Sequence, residues 1–318
     1  MSDELAIGVD IGATKIAYLL MSRQGAIVAE DHEPTNSVEG SEAVLGQVAA
    51  GIDRLLGEAK LIVTGIAIGC PGVVGPVSGV VHDAGNLKWR NVALRAEIQK
   101  RLARQDFPIW VQNDVNAAAI GEMVFGAARG CRDFVYIAIG TGLGAGAMVG
   151  GRLLEGAYSR AMEVGHLPLD SQGRQCVCGQ RGCPEMYVSG VGLQAGFREH
   201  RSAYPGSTLA RLDRPSSRDI LAAARSKDPL ALALMDEASD RLSTALITCM
   251  RLLDPELIVI GGGVGLAAYD LLHDDLIRKV HSRATSATQQ VASVVRSQIE
   301  NSAVGAACLV WYCQEHNA

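Results

Sequence analysis

The sequence predicts an α/β protein built from two similar domains that face each other across a cleft. Three observations point there. Apolar strand-like runs alternate with amphipathic helical patterns along the chain, as expected for helices packed on sheets. A strand–turn–strand unit occurs twice, about 130 residues apart, which suggests a duplicated domain. The 318 residues, 48% of them hydrophobic, suffice for two cores. No Pro-rich or low-complexity linker marks a boundary, so the repeat sets it. The first domain is expected over 1–112 and the second over 113–300, with a closing helix at about 301–318 packed back on the first.

The elements follow in order. "LAIGVDIGATKIAYLL" (5–20) reads as two strands joined by a Gly-rich turn. "SEAVLGQVAAGIDRLLGEA" (41–59) places Val44, Val48, Ile52 and Leu55 on one helical face, with Ser41 as the expected N-cap. "VQNDVNAAAIGE" (111–122) follows a strand and starts a helix, and Asp114 stands where an N-cap would. "DFVYIAIGTGLGAGAMVGGRLL" (133–154) repeats the first strand–turn–strand design. "DPLALALMDEASDRLSTALITCMRLLDP" (228–255) opens with Asp228 as cap and Pro229 in the first turn, and stops at Asp254-Pro255. "ELIVIGGGVG" (256–265) is a strand running into consecutive glycines.

Composition narrows the function classes. The net charge of −5 provides no overall basic footprint for nucleic acid. No secretory leader opens the chain and no apolar run reaches the roughly 18 residues of a membrane span. The expected location is the cytoplasm, where clustered thiols bind metal more often than they form disulfides. Cys176, Cys178 and Cys183 form C-x-C-x4-C, with His166 ten residues before the first. Three thiolates and one imidazole make a closed tetrahedral set, the preference of structural zinc. A redox pair with a spare thiol is the competing reading, but no C-x-x-C is present. A full ligand set leaves no open position for a reacting water. Gly179 and Gly182 supply the positive φ that folds the loop inward. Cys70, Cys131, Cys249, Cys308 and Cys313 read as core thiols.

Glycine-rich turns at strand ends let backbone N–H groups approach phosphate oxygens without Cβ interference. The candidate nucleotide-binding set is Asp10, Gly12, Thr14 and Lys15 in the first turn and Gly140, Thr141, Gly142 and Gly144 in the second. Gly262 and Gly263 join it from the third glycine run. Neither hairpin turn matches the P-loop or the dinucleotide fingerprint, since no G-K-[ST] occurs. Asp10, at the end of the first strand, either holds Mg²⁺ through water or only caps the turn.

Together "IGVDIGATKIA", "IAIGTGLGAGAMVGGRL", "EVGH" and "CVCGQRGCPE" resemble the ROK family (repressors, open reading frames and kinases), within the actin-like ATPase superfamily that includes hexokinase. The similarity spans nearly the whole chain, and E-x-G-H followed by C-x-C-G-x2-G-C-x-E is its most specific part. The resemblance implies two actin-like (ribonuclease H-like) domains with sugar and Mg-ATP between them, and a structural zinc. It makes Asp114 the catalytic base and Gly72, Asn113, Glu163, His166 and Glu185 sugar contacts, with His166 serving zinc as well. One departure is Ala13, where members often carry glycine. "GNLKWRNVALRAEI" (85–98) resembles the N-L-x-W segment of the family's glucokinases, so glucose is the expected acceptor. An N-acetylmannosamine or N-acetylglucosamine kinase is the alternative. A sugar-responsive repressor would carry a helix-turn-helix before the first strand, which here begins near residue 5. The expected partners are a hexose and ATP, without nucleic acid or membrane, in a possible homodimer or homotetramer.

Overall fold

The computed structural model describes residues 4–59, 61–284 and 291–316. Along the chain, the strands and helices are β1 (Leu5–Ile11), β2 (Lys15–Ser22), β3 (Ile27–Pro34), α1 (Ser41–Glu58), β4 (Val63–Cys70), β5 (Val73–Gly75), β6 (Val80–Ala84), β7 (Trp89–Val92), α2 (Leu94–Arg101), β8 (Ile109–Asn113) and α3 (Asp114–Val124). There follow β9 (Phe134–Ile139), β10 (Leu143–Val149), β11 (Arg152–Leu153), α4 (Glu185–Val188), α5 (Gly190–His200), α6 (Ser217–Arg225) and α7 (Pro229–Leu253). The chain closes with β12 (Leu257–Gly261), α8 (Gly263–Arg283), β13 (Ser293–Arg296) and α9 (Ala303–His316).

Two five-stranded sheets share one plan. The first has the order β3-β2-β1-β4-β8 and the second β11-β10-β9-β12-β13. In each, a hairpin (β1/β2, β9/β10) supplies the antiparallel pair, and two further strands extend it in parallel. The duplicated α/β design read from the sequence is therefore present in the topology. A small antiparallel sheet, β5-β6-β7, accompanies the first.

The first sheet is covered on both faces, which is why β1 is an almost continuous apolar run. On one face Ile7, Val9, Ile11, Tyr18 and Leu20 join Val44, Val48, Ile52 and Leu55 of α1, the helical stripe expected from its spacing. Full burial of each such side chain contributes about 1.5–3 kcal/mol. On the other face Ala6, Ala17 and Leu19 meet Ala303, Ala307 and Val310 of α9. The residues of β1 there are small because α9 comes close: a Cβ on Gly8 would strike the Ala303 carbonyl and the Ala307 nitrogen. A Cβ on Gly121 of α3 would likewise lie 2.9 Å from the Gly305 Cα of α9.

The chain divides into two compact units, Met1–Gly130 with Leu153–Ala161 and Gln298–Ala318, and Cys131–Arg152 with Met162–Ser297. This division differs from the boundary expected at 112/113. The close α3–α9 packing keeps α3 with the first unit, and the Leu153 N–H, donating to the Tyr312 hydroxyl at 2.8 Å, ties the 153–161 segment there too. In the second unit, α5, α6, α7 and α8 bury Leu193, Phe197, Ile220, Leu230, Leu234 and Leu272 in a shared core.

Two local expectations need correction. Ser41 is the first helical residue of α1, and Gly40 is the cap, at φ 92° and ψ 179°, a conformation that suits glycine alone. Cys131 is half-buried, whereas Cys70, Cys249, Cys308 and Cys313 are buried as expected. Asp228 does cap α7, accepting from the Leu230 and Ala231 N–H groups, and Asp254 ends it in the left-handed region at φ 47°. The closing helix covers 303–316; residues 317–318 of the expected range lie outside the described residues.

Candidate functional site

In the first unit the chain brings two carboxylates together at the ends of two parallel strands, β1 and β8, on either side of β4. Asp10 is the penultimate residue of β1, and Asp114 begins α3 directly after β8. Gly69 of β4 sits between them: a Cβ there would lie 3.4 Å from Asp10 Oδ1 and 3.5 Å from Asp114 Cα. Both side chains are half-buried. Desolvation, and next the Asp10 charge, push the Asp114 carboxyl up to about 7, against the pull of the Val115 N–H it accepts at 2.9 Å. Burial also raises Asp10, opposed by a hydrogen bond from Ser302 and by the charge of Lys15. Burial and the two carboxylates raise the nearby Cys70 thiol well above its usual value.

Asp114 is not the N-cap of its helix. Asn113 is: its Oδ1 accepts from Val115 N at 3.0 Å and from Asn116 N at 3.1 Å. The Asn113 Nδ2 donates to the Gly72 carbonyl at 3.1 Å. Gly72 stands at φ 89°, and a Cβ there would strike the Asp83 carbonyl, so only glycine fits. Gly72, Asn113 and Asp114 thus form one hydrogen-bonded group. With Asn113 as cap, the Asp114 carboxylate accepts from Val115 N through Oδ1.

Each Gly-rich turn is pinned by its own backbone. In the first, the Gly12 N–H donates to the Lys15 carbonyl at 2.8 Å, and Thr35 donates through its hydroxyl to Gly12 O at 2.8 Å. Thr14 and Lys15 are exposed. In the second, the Gly140 N–H donates to Gly142 O at 2.9 Å, and Gly140 O accepts from Gly190 N at 2.9 Å. Thr141 is exposed, and Gly144 continues into β10. Gly262 caps α8 at φ 78° and passes so close to Ile139 that a Cβ would lie 2.5 Å from its carbonyl oxygen. Nothing stands within 4 Å of a Cβ on Gly263, so this helix N-terminus, with its unpaired N–H groups, is open.

The ligand atoms of His166, Cys176, Cys178 and Cys183 all lie within 4.8 Å of one another. Cys178 and Cys183 sulfurs are 3.6 Å apart, and Cys176 Sγ is 3.5 Å from His166 Nδ1. A disulfide would need about 2.05 Å. A tetrahedron with zinc–sulfur bonds of about 2.3 Å has sulfur–sulfur edges near 3.8 Å, so the four donors fit zinc. Gly179 and Gly182 take the expected positive φ, 91° and 69°. The loop closes as a tight hairpin, with Cys176 N donating to Gln180 O at 2.9 Å and a bridge between Gln175 and Arg181. Arg174 beside it pairs with Glu199 and Glu237, both at 2.6 Å, and its guanidinium lies over the Tyr187 ring.

The end of the loop carries Glu185. Glu185 Oε2 accepts from Leu143 N at 3.0 Å, so the end of the cysteine loop is fastened to β10 directly after the 140–142 turn. Gly165 packs against the carbonyl of the same Leu143, and Glu163 beside it is exposed. Of the N-L-x-W segment, Asn86 is exposed, whereas Leu87 and Trp89 are buried in the first unit's core.

Sequence reasoning missed Gln112 and its partner Glu155. Gln112 is 4% exposed, and its Nε2 donates to Glu155 at 2.8 Å. A polar residue directly after the apolar run "IWV" of the strand was the available signal. Glu155, 43 positions away, had none.

A family model described as ROK family matches residues 6–312. The glucokinase of Streptomyces coelicolor is 34% identical over 316 residues, 96% of this chain and 97% of its own. The crystal structure of a ROK family glucokinase from Streptomyces griseus, in complex with glucose and AMPPNP, superposes with a TM-score of 0.81 at 31% identity. It covers 96% of this chain and 98% of that one. A ROK family transcriptional regulator, a homolog of the E. coli MLC protein, superposes at 0.85 with 28% identity, over 96% of this chain and 77% of that one. Among the described residues no helix is long and apolar enough to cross a membrane. The shared sheet plan, the His-Cys cluster and a family match running almost from end to end agree, and this protein belongs to the ROK family.

Proposed function

We propose that this protein is an ATP-dependent hexose kinase whose preferred acceptor is the 6-hydroxyl of glucose. The observation that carries the reading is Asp114: a half-buried carboxylate raised to about 7, at the start of a helix capped by Asn113, two strands from Asp10. A base for a sugar hydroxyl works best when its pKa lies near the working pH. Asp114 accepts the hydroxyl proton as the oxygen attacks the γ-phosphorus, and Asn113, Glu163, His166 and Glu185 orient the ring through its other hydroxyls. The N–H groups of the 12–15 and 140–142 turns other than those of Gly12 and Gly140, and those of the α8 N-terminus, with Lys15, receive the phosphates. Mg²⁺ bound with ATP neutralises phosphate charge, and Asp10 is the carboxylate suited to hold its hydration shell. The zinc, held by His166, Cys176, Cys178 and Cys183, orders the loop that carries Glu185 and takes no part in the chemistry. The glucokinase relatives support glucose as acceptor.

The likeness to a transcriptional regulator favours a second reading, a sugar sensor without turnover. One experiment separates them. Glucose, mannose, N-acetylmannosamine and N-acetylglucosamine are assayed with Mg-ATP in a coupled assay, with sugar binding measured in parallel. The kinase reading expects turnover highest in kcat/KM for glucose; binding without ADP formation on any sugar would overturn it in favour of the sensor.

A further inference from the structure

We infer that Gln112 and Glu155 act as a positioning pair for Asp114, an inference that rests on the kinase reading above. Gln112 is the residue before Asn113 and one of the few buried polar side chains of the first unit. Its amide is used at both ends. Its Oε1 accepts from the Asn113 N–H at 2.8 Å and from Asn116 Nδ2 at 3.3 Å. Its Nε2 donates to Glu155 Oε1 at 2.8 Å. One side chain therefore holds the backbone of the cap residue and a side chain of the first turn of α3, the two supports that flank Asp114.

The hydrogen-bond pattern fixes the amide's orientation. A carboxylate acceptor at Glu155 admits only the NH₂ end, which turns the oxygen toward Asn113 and Asn116. Without Glu155 the amide is free to flip and would then point donors at two donors. Glu155 is itself placed by its own segment: its carbonyl accepts from Ala161 N at 3.1 Å, and Leu153 N binds the Tyr312 hydroxyl. A half-buried network of this kind, centred on a buried amide, acts as a unit when all its members are satisfied. Its expected effect is on the reacting geometry, because a displacement of about 1 Å can cost roughly 10²-fold in rate. Sugar binding draws on several contacts and should respond less.

The pair can be reversed, and this makes the test. Gln112→Glu keeps the acceptor for Asn113 and Asn116 but sets two carboxylates against each other. Adding Glu155→Gln restores a donor to acceptor contact with the roles exchanged. Gln112→Met removes both polar ends at similar volume. Each full-length variant is assayed for glucose phosphorylation at pH 8.5, with glucose binding by calorimetry and thermal unfolding alongside. The expected result is a kcat lower by about 10-fold or more in Gln112→Glu and Gln112→Met, with glucose affinity changed by less than about 3-fold. The double variant should recover to within about 3-fold of wild-type kcat. Unchanged kcat in both single variants, failure of Glu155→Gln to rescue Gln112→Glu, or parallel loss of binding and kcat would each overturn the positioning role. Should a single variant not fold, the double variant decides: it must then fold and turn over. A wild-type protein that phosphorylates no hexose would remove the kinase reading and this inference with it, whereas an active wild type with insensitive variants removes only the inference.

Discussion

The two hairpins β1/β2 and β9/β10 have the same place in their sheets and opposite chemistry. Counting back from the last paired residues before each turn, Ile11 corresponds to Ile139, Asp10 to Ala138 and Gly8 to Tyr136. The first turn holds four residues between its closing pair and ends on Lys15; the second holds three and is uncharged. The first hairpin is shaped by α9, whose backbone needs Gly8, and it presents a carboxylate and an amine. The second has a tyrosine ring where the first has glycine, and there it is the partner strand that gives way: a Cβ on Gly261 would meet the Tyr136 ring at 2.7 Å. Its strand β10, just after the turn, is tied to Glu185 at the end of the cysteine loop. One backbone plan thus carries charge in one copy and serves as an anchor for the cysteine-bearing loop in the other. The topology alone assigns neither role.

Breaking the charged side should have the largest effect. A general base contributes about 10²–10⁴-fold, so Asp114→Asn should lower kcat by that range in a coupled glucose assay. In the wild type, kcat/KM for glucose should rise with pH and level off above about 7 as Asp114 ionises. The same raised pKa has a consequence for stability. The folded protein holds the Asp114 proton more tightly than the unfolded chain, so this contribution is full below about pH 4 and is lost as pH rises through about 7. Asp114→Asn should therefore be more stable than wild type at pH 8, and the gain should vanish at pH 4. Melting curves at the two values check the sign.

Breaking the anchored side comes next. Purified protein should hold about one zinc per chain by elemental analysis. Cys178→Ser should release it, lower the melting temperature, and weaken glucose binding about tenfold, as expected when a hydrogen bond to a charged group such as Glu185 is mis-set. Asp114 chemistry would be spared: kcat at saturating sugar should fall much less than in Asp114→Asn. Equal losses in both would contradict the division of roles.

A purely structural contrast is smaller. Gly8→Ala should cost about 1–3 kcal/mol in denaturant unfolding, because the added methyl meets the backbone of α9. The smallest effects belong to the exposed hydroxyls. Thr14→Val and Thr141→Val each remove one exposed hydroxyl donor that water can replace beside the phosphates, at about 0.5–1.5 kcal/mol, and should raise KM for ATP by about 2- to 10-fold. Lys15→Met should exceed Thr141→Val, since only the first turn carries a charge.

Features written in contiguous sequence were legible before the structure. The two turns, the φ > 0 glycines of the metal loop and the Asp228 cap all follow from local rules, in which a residue type and its neighbours suffice. The metal cluster could be read because three of its ligands lie within eight residues. What escaped depends on distant partners. Asn113 rather than Asp114 caps α3, its backbone N–H bonded to the Gln112 amide, which in turn bonds Glu155, 43 positions away. The boundary at 112/113 missed that Gly121 and Gly305 bring α3 against α9 across about 180 residues of sequence. Ser41 lost the cap to Gly40 through a backbone conformation that composition does not reveal.

The most direct test of kinase function is the product itself. Wild-type protein incubated with glucose and Mg-ATP, followed by phosphorus NMR, should convert the γ-phosphate of ATP into a phosphate monoester on the glucose 6-oxygen, with one ADP formed per ester. ATP that stays intact while glucose is bound, or ADP that appears with free phosphate and no sugar ester, would contradict it.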